Sequence, residues 1–162
     1  MPASVRSQAH VALTAALNAI SVATGFNTNV APSAGGGGAQ RILSANQLET
    51  LPTVLVFMDD ERAIEGDQLF LMRQTDFELV GVVAEDPAVS LADKLDLLLT
   101  DIEKVLLIEK AKNPPLSVVG VTDLTIAGVN TEFPGQKHQV AGSVMCTVHF
   151  RHTRLDPSVG GV

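Results

Sequence analysis

The chain has 162 residues, of which 46% are hydrophobic and 18% charged, and its formal net charge at pH 7 is −7. That length suits one domain with a core large enough to fold unaided, and the lone cysteine, Cys146, excludes an internal disulfide framework. The acidic balance and the absence of Tyr and Trp argue against a nucleic-acid reader, which depends on clustered Lys and Arg and on aromatic stacking. An enzyme is not excluded by composition.

The first predicted element is an amphipathic helix over residues 4–21. Its apolar residues recur at steps of three, four and seven, and they form a stripe of Val5, Ala9, Leu13, Ala16, Leu17 and Ile20. Ser4 is suited to cap the first turn, and Gly25 can stop the helix soon after its end. Residues 26–30 are predicted to be a short extended piece.

Residues 31–50 are predicted to form a long mobile loop. Four consecutive glycines, residues 35–38, each lose much conformational entropy on ordering, so we expect no regular element there. The alternative for a glycine-rich segment is a phosphate-binding loop, but that motif requires Lys followed by Ser or Thr at the start of a helix. Ala39, Gln40 and Arg41 occupy those places, so nucleotide binding is not predicted.

Two strands are predicted next. Residues 53–58, TVLVFM, form a continuous apolar run that is typical of a buried strand. A hairpin around residues 65–67 leads into a long strand over residues 69–84, with a break or bulge near residues 73–76. The second half of this strand is apolar on both faces, so we expect it at the centre of the sheet.

A second helix is predicted to begin after Ser90, which forms a capping-box-like pair with Asp93, and to end before Asn113 and the two prolines after it. Its wide apolar stripe consists of Leu91, Leu95, Leu98, Leu99, Ile102, Val105 and Leu106. Strands over residues 116–126 and 140–151 close the domain. The residues of the last strand that are predicted to face the core are Val140, Gly142, Val144, Cys146, Val148 and Phe150. Residues 153–162 are predicted to be a loosely held polar tail.

The element order α-β-β-β-α-β-β, without a repeat or an internal linker, predicts one domain over residues 1–162. We expect an α+β fold in which two helices pack on an antiparallel or mixed sheet of about five strands. The apolar stretch at residues 11–20 is interrupted by Thr14 and Asn18, and no stretch approaches the ~20 apolar residues of a membrane helix. We therefore expect a soluble protein made in a reducing compartment, without a membrane partner.

Few residues are suited to chemistry. His149 and His152 stand three apart near a strand end, where strand geometry sends them to opposite faces, and Cys146 is predicted to point into the core. The carboxylates at positions 59, 60, 61, 65 and 67 lack the spacing of an EF-hand loop, although paired acid/base carboxylates remain an alternative there. The sequence therefore predicts no catalytic residue, no metal and no cofactor.

The charge is divided unevenly along the chain. Residues 47–109 hold 15 acidic and four basic residues, a net of −11, whereas the flanks hold three acidic and seven basic residues, a net of +4. Ordinary solvated charge explains such a pattern, but an acidic middle with basic flanks can also give a molecule two differently charged surfaces.

The layout resembles the tail terminator (tail-completion, minor tail protein) family of long-tailed bacteriophages. The resemblance covers nearly the whole chain: the first helix, the long loop before the strand LPTVLV at residues 51–56, and the strand at 77–84. It continues through the Asp- and Leu-rich helix at 92–107 to the strand VMCTVHFR at 144–151, which ends in an aromatic–arginine step. The four-glycine insert and the absence of Tyr and Trp depart from the family pattern.

This resemblance implies a structural virion protein, assembled in the host cytoplasm, that forms a hexameric ring. The ring caps the tail tube, stops its polymerisation and receives the head-completion (stopper) protein, while DNA passes through its lumen. The family has no catalytic residues to carry over, and net negative charge suits a passage that does not hold DNA. Other neck or tube ring proteins, or a small non-viral ligand-binding α+β domain, are the alternatives.

A closed ring has head-to-tail interfaces, so one side of a subunit must complement the other. The acidic cluster at residues 59–61 facing a basic flank of the next subunit would supply such a pair. The candidate interface residues are Arg41, Asp59, Asp60, Glu61, Arg62, Arg151 and Arg154.

Overall fold

A computed structural model describes residues 3–41, 50–66, 69–133 and 139–153 of the chain. In these residues it has two α-helices, α1 (Val5–Leu17) and α2 (Leu91–Lys110). The strands are β1 (Gly38–Arg41), β2 (Thr53–Met58), β3 (Arg62–Gly66), β4 (Phe70–Ala84), β5 (Val121–Phe133) and β6 (Gln139–Thr153).

All six strands belong to one mixed sheet. Its order is β1-β2-β4-β6-β5, and β3 pairs with β4 beside β2. The β1–β2 pair is parallel, whereas every other pair is antiparallel. The predicted α+β class is therefore confirmed, with six strands in place of about five, because β1 and β3 are additional and residues 26–30 form no strand.

Both helices pack on the same face of the sheet. α2 lies over a pair of glycines, Gly81 on β4 and Gly142 on β6, which oppose each other across the strand pair. A Cβ atom on Gly81 would lie 2.8 Å from Cδ2 of Leu98, and one on Gly142 would lie 3.0 Å from Cδ1 of Leu99. The absence of these two side chains lets the leucines of α2 approach the sheet closely.

The predicted start and stop signals of α2 are confirmed. The Ser90 side chain accepts a hydrogen bond from the Asp93 N–H at 3.1 Å, and the helix ends at Lys110, before the proline pair. The inward residues Val144, Cys146, Val148 and Phe150 of β6 are buried, as their alternation predicted. The first helix is also confirmed, but it ends at Leu17 and not near residue 21.

The glycine run forms an ordered turn, so the prediction of an irregular loop is wrong for residues 31–41. Residues 32–34 form a 3₁₀ turn that ends at Gly35 with φ +88°, and Gly38 begins β1 with φ +77°. A Cβ atom on Gly36 would lie 2.1 Å from the Asn29 carbonyl oxygen, and one on Gly37 would lie 2.1 Å from that of Thr50. The run is therefore needed for close backbone packing. The rest of the predicted loop, residues 42–49, lies outside the described residues.

Strand β1 is held by the end of α1. The Asn18 side chain accepts a hydrogen bond from the Ala39 N–H at 2.7 Å and donates one to the Ala39 carbonyl at 3.2 Å. This amide therefore pairs with β1 as a neighbouring strand would, and it fixes the edge of the sheet to the helix layer.

Three further sequence predictions need correction. β4 pairs with β6 at every position from Phe70 to Ala84, so the expected break near residues 73–76 is absent. β5 begins at Val121 and not at residue 116, because Leu116, with φ 58° and its side chain buried, belongs to a 3₁₀ turn. β5 then continues to Phe133 through residues that carry turn signals, and shifts in its register with β6 accommodate them. Of the predicted tail at 153–162, Thr153 is instead the last residue of β6, and residues 154–162 lie outside the described residues.

Candidate subunit interface

The predicted acidic cluster lies in the connection between β2 and β3. Asp59 and Asp60 are exposed, and neither carboxylate makes an ion pair within the described residues. The Asp59 N–H donates to the Asp76 carbonyl at 3.0 Å, which fixes the turn against β4. These two carboxylates are therefore presented to solvent from a fixed backbone.

Glu61 and Arg62 are engaged within the subunit. Oε1 of Glu61 lies 3.4 Å from Nε of Arg73 and 3.8 Å from Nε2 of His152, on the helix-covered face of the sheet. Arg62 forms an ion pair with Asp76 on the opposite face. Both residues therefore join β3 to its neighbours, and of the four residues 59–62 only the two aspartates remain available to a partner.

The internal partners Arg73, Asp76 and His152 were missed by the sequence reasoning. Nδ1 of His152 lies 2.8 Å from the Thr153 carbonyl oxygen, and the Thr147 hydroxyl donates to Asp76 at 2.6 Å. Charged residues within an otherwise apolar strand were the available signal, but their partners depend on the register of three strands. That register cannot be obtained from local patterns.

His149 and Cys146 point to opposite faces of β6, as their spacing predicted. His149 lies on the uncovered face, where Nε2 is 3.2 Å from the Thr125 hydroxyl, whereas Cys146 is in the core. Burial raises the pKa of the Cys146 thiol to about 12, and the charge of Asp76 adds to this effect. The described residues contain no group of three His, Cys, Asp or Glu side chains that could hold a metal ion.

Arg151 lies on the other side of β4, in strand β6. Its guanidinium carbon is 5.4 Å from the ring centroid of Phe70, and its backbone N–H donates to the Gly120 carbonyl at 2.8 Å. The side chain lines a cavity of about 290 Å³, here called the Arg151 cavity, which is formed by Asn113, Pro114, Val119, Gly120, Val121, Thr122 and Arg151. Of the other basic candidates, the Arg41 side chain and the whole of Arg154 lie outside the described residues.

The acidic candidate residues and Arg151 lie on opposite sides of strand β4, near the same end of the sheet. Arg73 of β4 pairs with Ala63 of β3 on one side and with Phe150 of β6 on the other, and Phe150 in turn pairs with Val121 at the start of β5. We call Asp59, Asp60 and strand β3 the acidic edge. The acidic edge and the Arg151 cavity therefore face away from each other across β4 and β6.

Each of these sides also exposes apolar residues. In β3, Ile64 is 50% exposed, and beside the Arg151 cavity Val119 is 57% exposed. The candidate interface thus combines apolar and charged groups on both sides.

A second cavity of about 290 Å³ lies between residues 27–29, the Leu51–Pro52 segment and α2. Its lining is mostly apolar and includes Val83, Val89 and Leu97, with Lys94 at one side. The Lys94 ammonium donates to the Ala84 carbonyl at 3.2 Å and forms an ion pair with Asp86 at 3.1 Å. Its positive charge is therefore paired within the chain. The cavity can therefore accept a small apolar group.

Neither helix in the described part of the chain is long and apolar enough to cross a membrane. Comparison with models of protein families finds none that matches the chain, and no curated protein matches it.

Proposed function

We propose that this chain is the subunit of a ring-forming phage tail terminator, which caps the tail tube and joins it to the head-completion protein. The observation that carries the proposal is the pair of unlike surfaces at one end of the sheet, the acidic edge and the Arg151 cavity. A closed ring needs two complementary surfaces on each subunit, because every copy meets one neighbour with each side.

The use of buried charge within the subunit also favours a structural role. Asp101 of α2 is fully buried, and its carboxylate accepts hydrogen bonds of 2.7–3.0 Å from the backbone and side chains of Asn27 and Thr28. The partly exposed Glu61 joins the β2–β3 connection to β4 and β6 through Arg73 and His152. Through these contacts the two carboxylates hold separate segments of the chain together.

The acidic charge supports a passage for DNA in preference to a DNA-binding surface. Residues 47–109 carry a net charge of −11, and like charge between a lumen wall and phosphate prevents tight association. In the proposed ring DNA is cargo that moves through the lumen during ejection and is not retained.

The test uses the full chain and the tube protein of the same phage. We expect the purified chain to give single rings by negative-stain microscopy and, when added during tube assembly, to end tubes at a shorter mean length. Long cylinders formed by the chain alone would instead identify a tube protein. Rings that leave tube length unchanged would favour a head-completion protein, and the absence of rings would contradict every ring-forming function.

The second candidate is a small ligand-binding domain, which the apolar cavity beside Leu97 favours. Its volume of about 290 Å³ is near the lower limit for small-molecule sites. If this function is correct, a small apolar compound raises the melting temperature of the chain, and Leu97→Trp, which fills the cavity, abolishes that rise. A panel of compounds without such a shift would contradict it.

A further inference from the structure

We infer that strand β3 of one copy pairs with strand β5 of the next copy, so that the sheet of each subunit continues into its neighbour around the ring. The inference rests on the proposed function, and it adds the backbone contact through which the ring closes. It commits to a second copy of this chain as the partner of both strands.

The sheet has three edge strands among the residues that the structure describes, and one of them is already covered. β1 pairs with β2 alone, but its outer side meets the Asn18 amide, which bonds to both the N–H and the carbonyl of Ala39. β3 pairs with β4 alone, and β5 pairs with β6 alone. The outward N–H and C=O groups of an edge strand are a template for another strand. β3 and β5 are therefore the two strands whose outer edges can accept a partner.

The edge of β5 lacks the usual protection against pairing. Residues 125–129 contain neither a charge nor a proline, which are the common means of blocking an edge strand. Ala127, Gly128 and Val129 are exposed, and no described residue beyond the chain neighbours lies within 4 Å of the position that a Cβ atom on Gly128 would occupy. The space beside this segment is open, so another strand can approach it.

β3 has the length and the surface to occupy that place. It is five residues long, and its central residues Ala63 and Ile64 are exposed. Arg62 forms its ion pair with Asp76 within the subunit, so its charge is held at β4. Ile64 and Val129 are aliphatic side chains that are 50% and 45% exposed, and an adjoining strand would cover them.

The directions of the strands determine the kind of assembly. Across β3, β4, β6 and β5 the direction alternates, because each neighbouring pair is antiparallel. A rotation about the ring axis preserves the direction of each strand along that axis, so β3 of one copy meets β5 of the next in the antiparallel sense. The two strands lie on opposite sides of β4 and β6, so one subunit cannot pair its own edges. The contact is head-to-tail, and its repetition closes a ring.

The first test is hydrogen exchange of the full chain, measured by mass spectrometry in assembled rings and in subunits dissociated by dilution. We expect the amides of β3 and of residues 125–129 to exchange at least roughly tenfold more slowly in the ring, since strand pairing gives their outward N–H groups acceptors. The Ala39 amide is the internal control, because Asn18 accepts its hydrogen bond in both states. Rings without slower exchange in the two segments would overturn the contact and leave the proposed function intact.

The second test changes one residue of β5. Ala127 lies between Ile126 and Gly128, where the register with β6 shifts, and bulges on edge strands accept proline, so we expect Ala127→Pro to fold. Proline lacks the N–H and its ring hinders a neighbouring strand, so assembly should need at least roughly tenfold more protein. Ala127→Val keeps the N–H and is the matched control, which we expect to form rings at the concentration that the unmodified chain requires. Equal assembly of the two variants would overturn the contact.

Disulfide formation covers the case in which Ala127→Pro fails to fold. Ile64→Cys is combined in turn with Thr125→Cys, Ala127→Cys and Val129→Cys, while the native Cys146 is buried. We expect one combination to give a ladder of oxidised copies up to the closed ring. No ladder from any combination, or dimers from Val129→Cys alone, which would show two β5 edges together, would overturn the contact. Failure of the unmodified chain to form rings would overturn the proposed function as well.

Discussion

The two halves of strand β4 differ in the chemical character of their side chains. In residues 79–84, both faces are apolar: Leu79 and Val83 lie in the main core under α2, and Val80 and Val82 are buried on the opposite face with Leu55. In residues 70–76, charged groups occupy both faces, with Arg73 beside Glu61 on one and Asp76 beside Arg62 on the other. One strand thus carries a half that stabilises the subunit and a half that, in the proposed ring, holds the contact surfaces in place.

The largest expected difference between the halves comes from truncating a leucine in each. Leu79→Ala removes a fully buried side chain, so we expect a loss of roughly 2–5 kcal/mol in the free energy of unfolding. Leu71→Ala removes a partly exposed side chain from the first half, and we expect a loss of about 1 kcal/mol. Urea denaturation of both variants measures the difference, and equal losses would contradict the division of β4.

A similar comparison applies to two carboxylates. Asp101→Asn replaces a buried acceptor of several hydrogen bonds and leaves donors of Asn27 and Thr28 without a charged partner, so we expect a loss of about 3 kcal/mol. Glu61→Gln alters a partly exposed ion pair near the first half and should cost less than about 1 kcal/mol. Thermal unfolding of the two variants at one pH measures both losses. A greater loss for Glu61→Gln would show that stability does not reside mainly beneath the helices.

The glycine pair under α2 gives a third comparison. A Cβ atom at Gly142 would lie 2.9 Å from the backbone oxygen of Asn130 and 3.0 Å from Cδ1 of Leu99, so Gly142→Ala forces the sheet or the helix to shift. We expect a loss of roughly 1–3 kcal/mol, typical of overpacking. The control is Gly128→Ala in β5, where no atom lies within 4 Å of the added Cβ. Chemical denaturation in which the two variants lose equal stability would rule out close packing of α2 as the cause.

The last comparison concerns the core thiol, whose effect on stability begins only at alkaline pH. Because the pKa of Cys146 is raised to about 12, its proton is lost near pH 9 in the unfolded chain but retained in the folded one. The stability that this contributes is fully present below pH 9 and declines by about 1.4 kcal/mol per pH unit between pH 9 and 12. Subtracting the pH profile of Cys146→Ala isolates this slope from lysine titration. Identical profiles for the two chains would contradict a buried, protonated thiol.

The sequence predicts the parts of this fold whose signals are local. α2 follows from a capping serine, a repeating leucine stripe and a terminating proline pair, and β6 follows from alternation alone. Strand β1 could not be predicted, because its formation depends on backbone contacts of the glycine run with Asn29 and Thr50 and on the side chain of Asn18. The shift of β5 has a similar origin, since Leu116 is buried in a left-handed backbone conformation that no pattern in its neighbours indicates.

The candidate interface was predicted only at the level of residue classes. The acidic cluster and the basic flank were visible as charge runs, but Glu61 and Arg62 pair with Arg73 and Asp76 inside the subunit. Those pairs exist because β3 and β4 form a hairpin with a specific register. That Asp59 and Asp60 remain available to a partner therefore depends on the tertiary structure and cannot be deduced from the local sequence. The same holds for the Arg151 cavity, which joins residues from the end of α2, the start of β5 and β6.

The most direct test of the central claim is the mass of the assembled particle. The full chain is analysed by native mass spectrometry over a wide range of protein concentrations at low salt, with a parallel series at high salt, which screens exposed charge pairs. We expect one closed species of six subunits, which loses subunits as salt is raised and does not extend at high concentration. A monomer at every concentration, or a series of ever-longer open polymers, would contradict the closed ring.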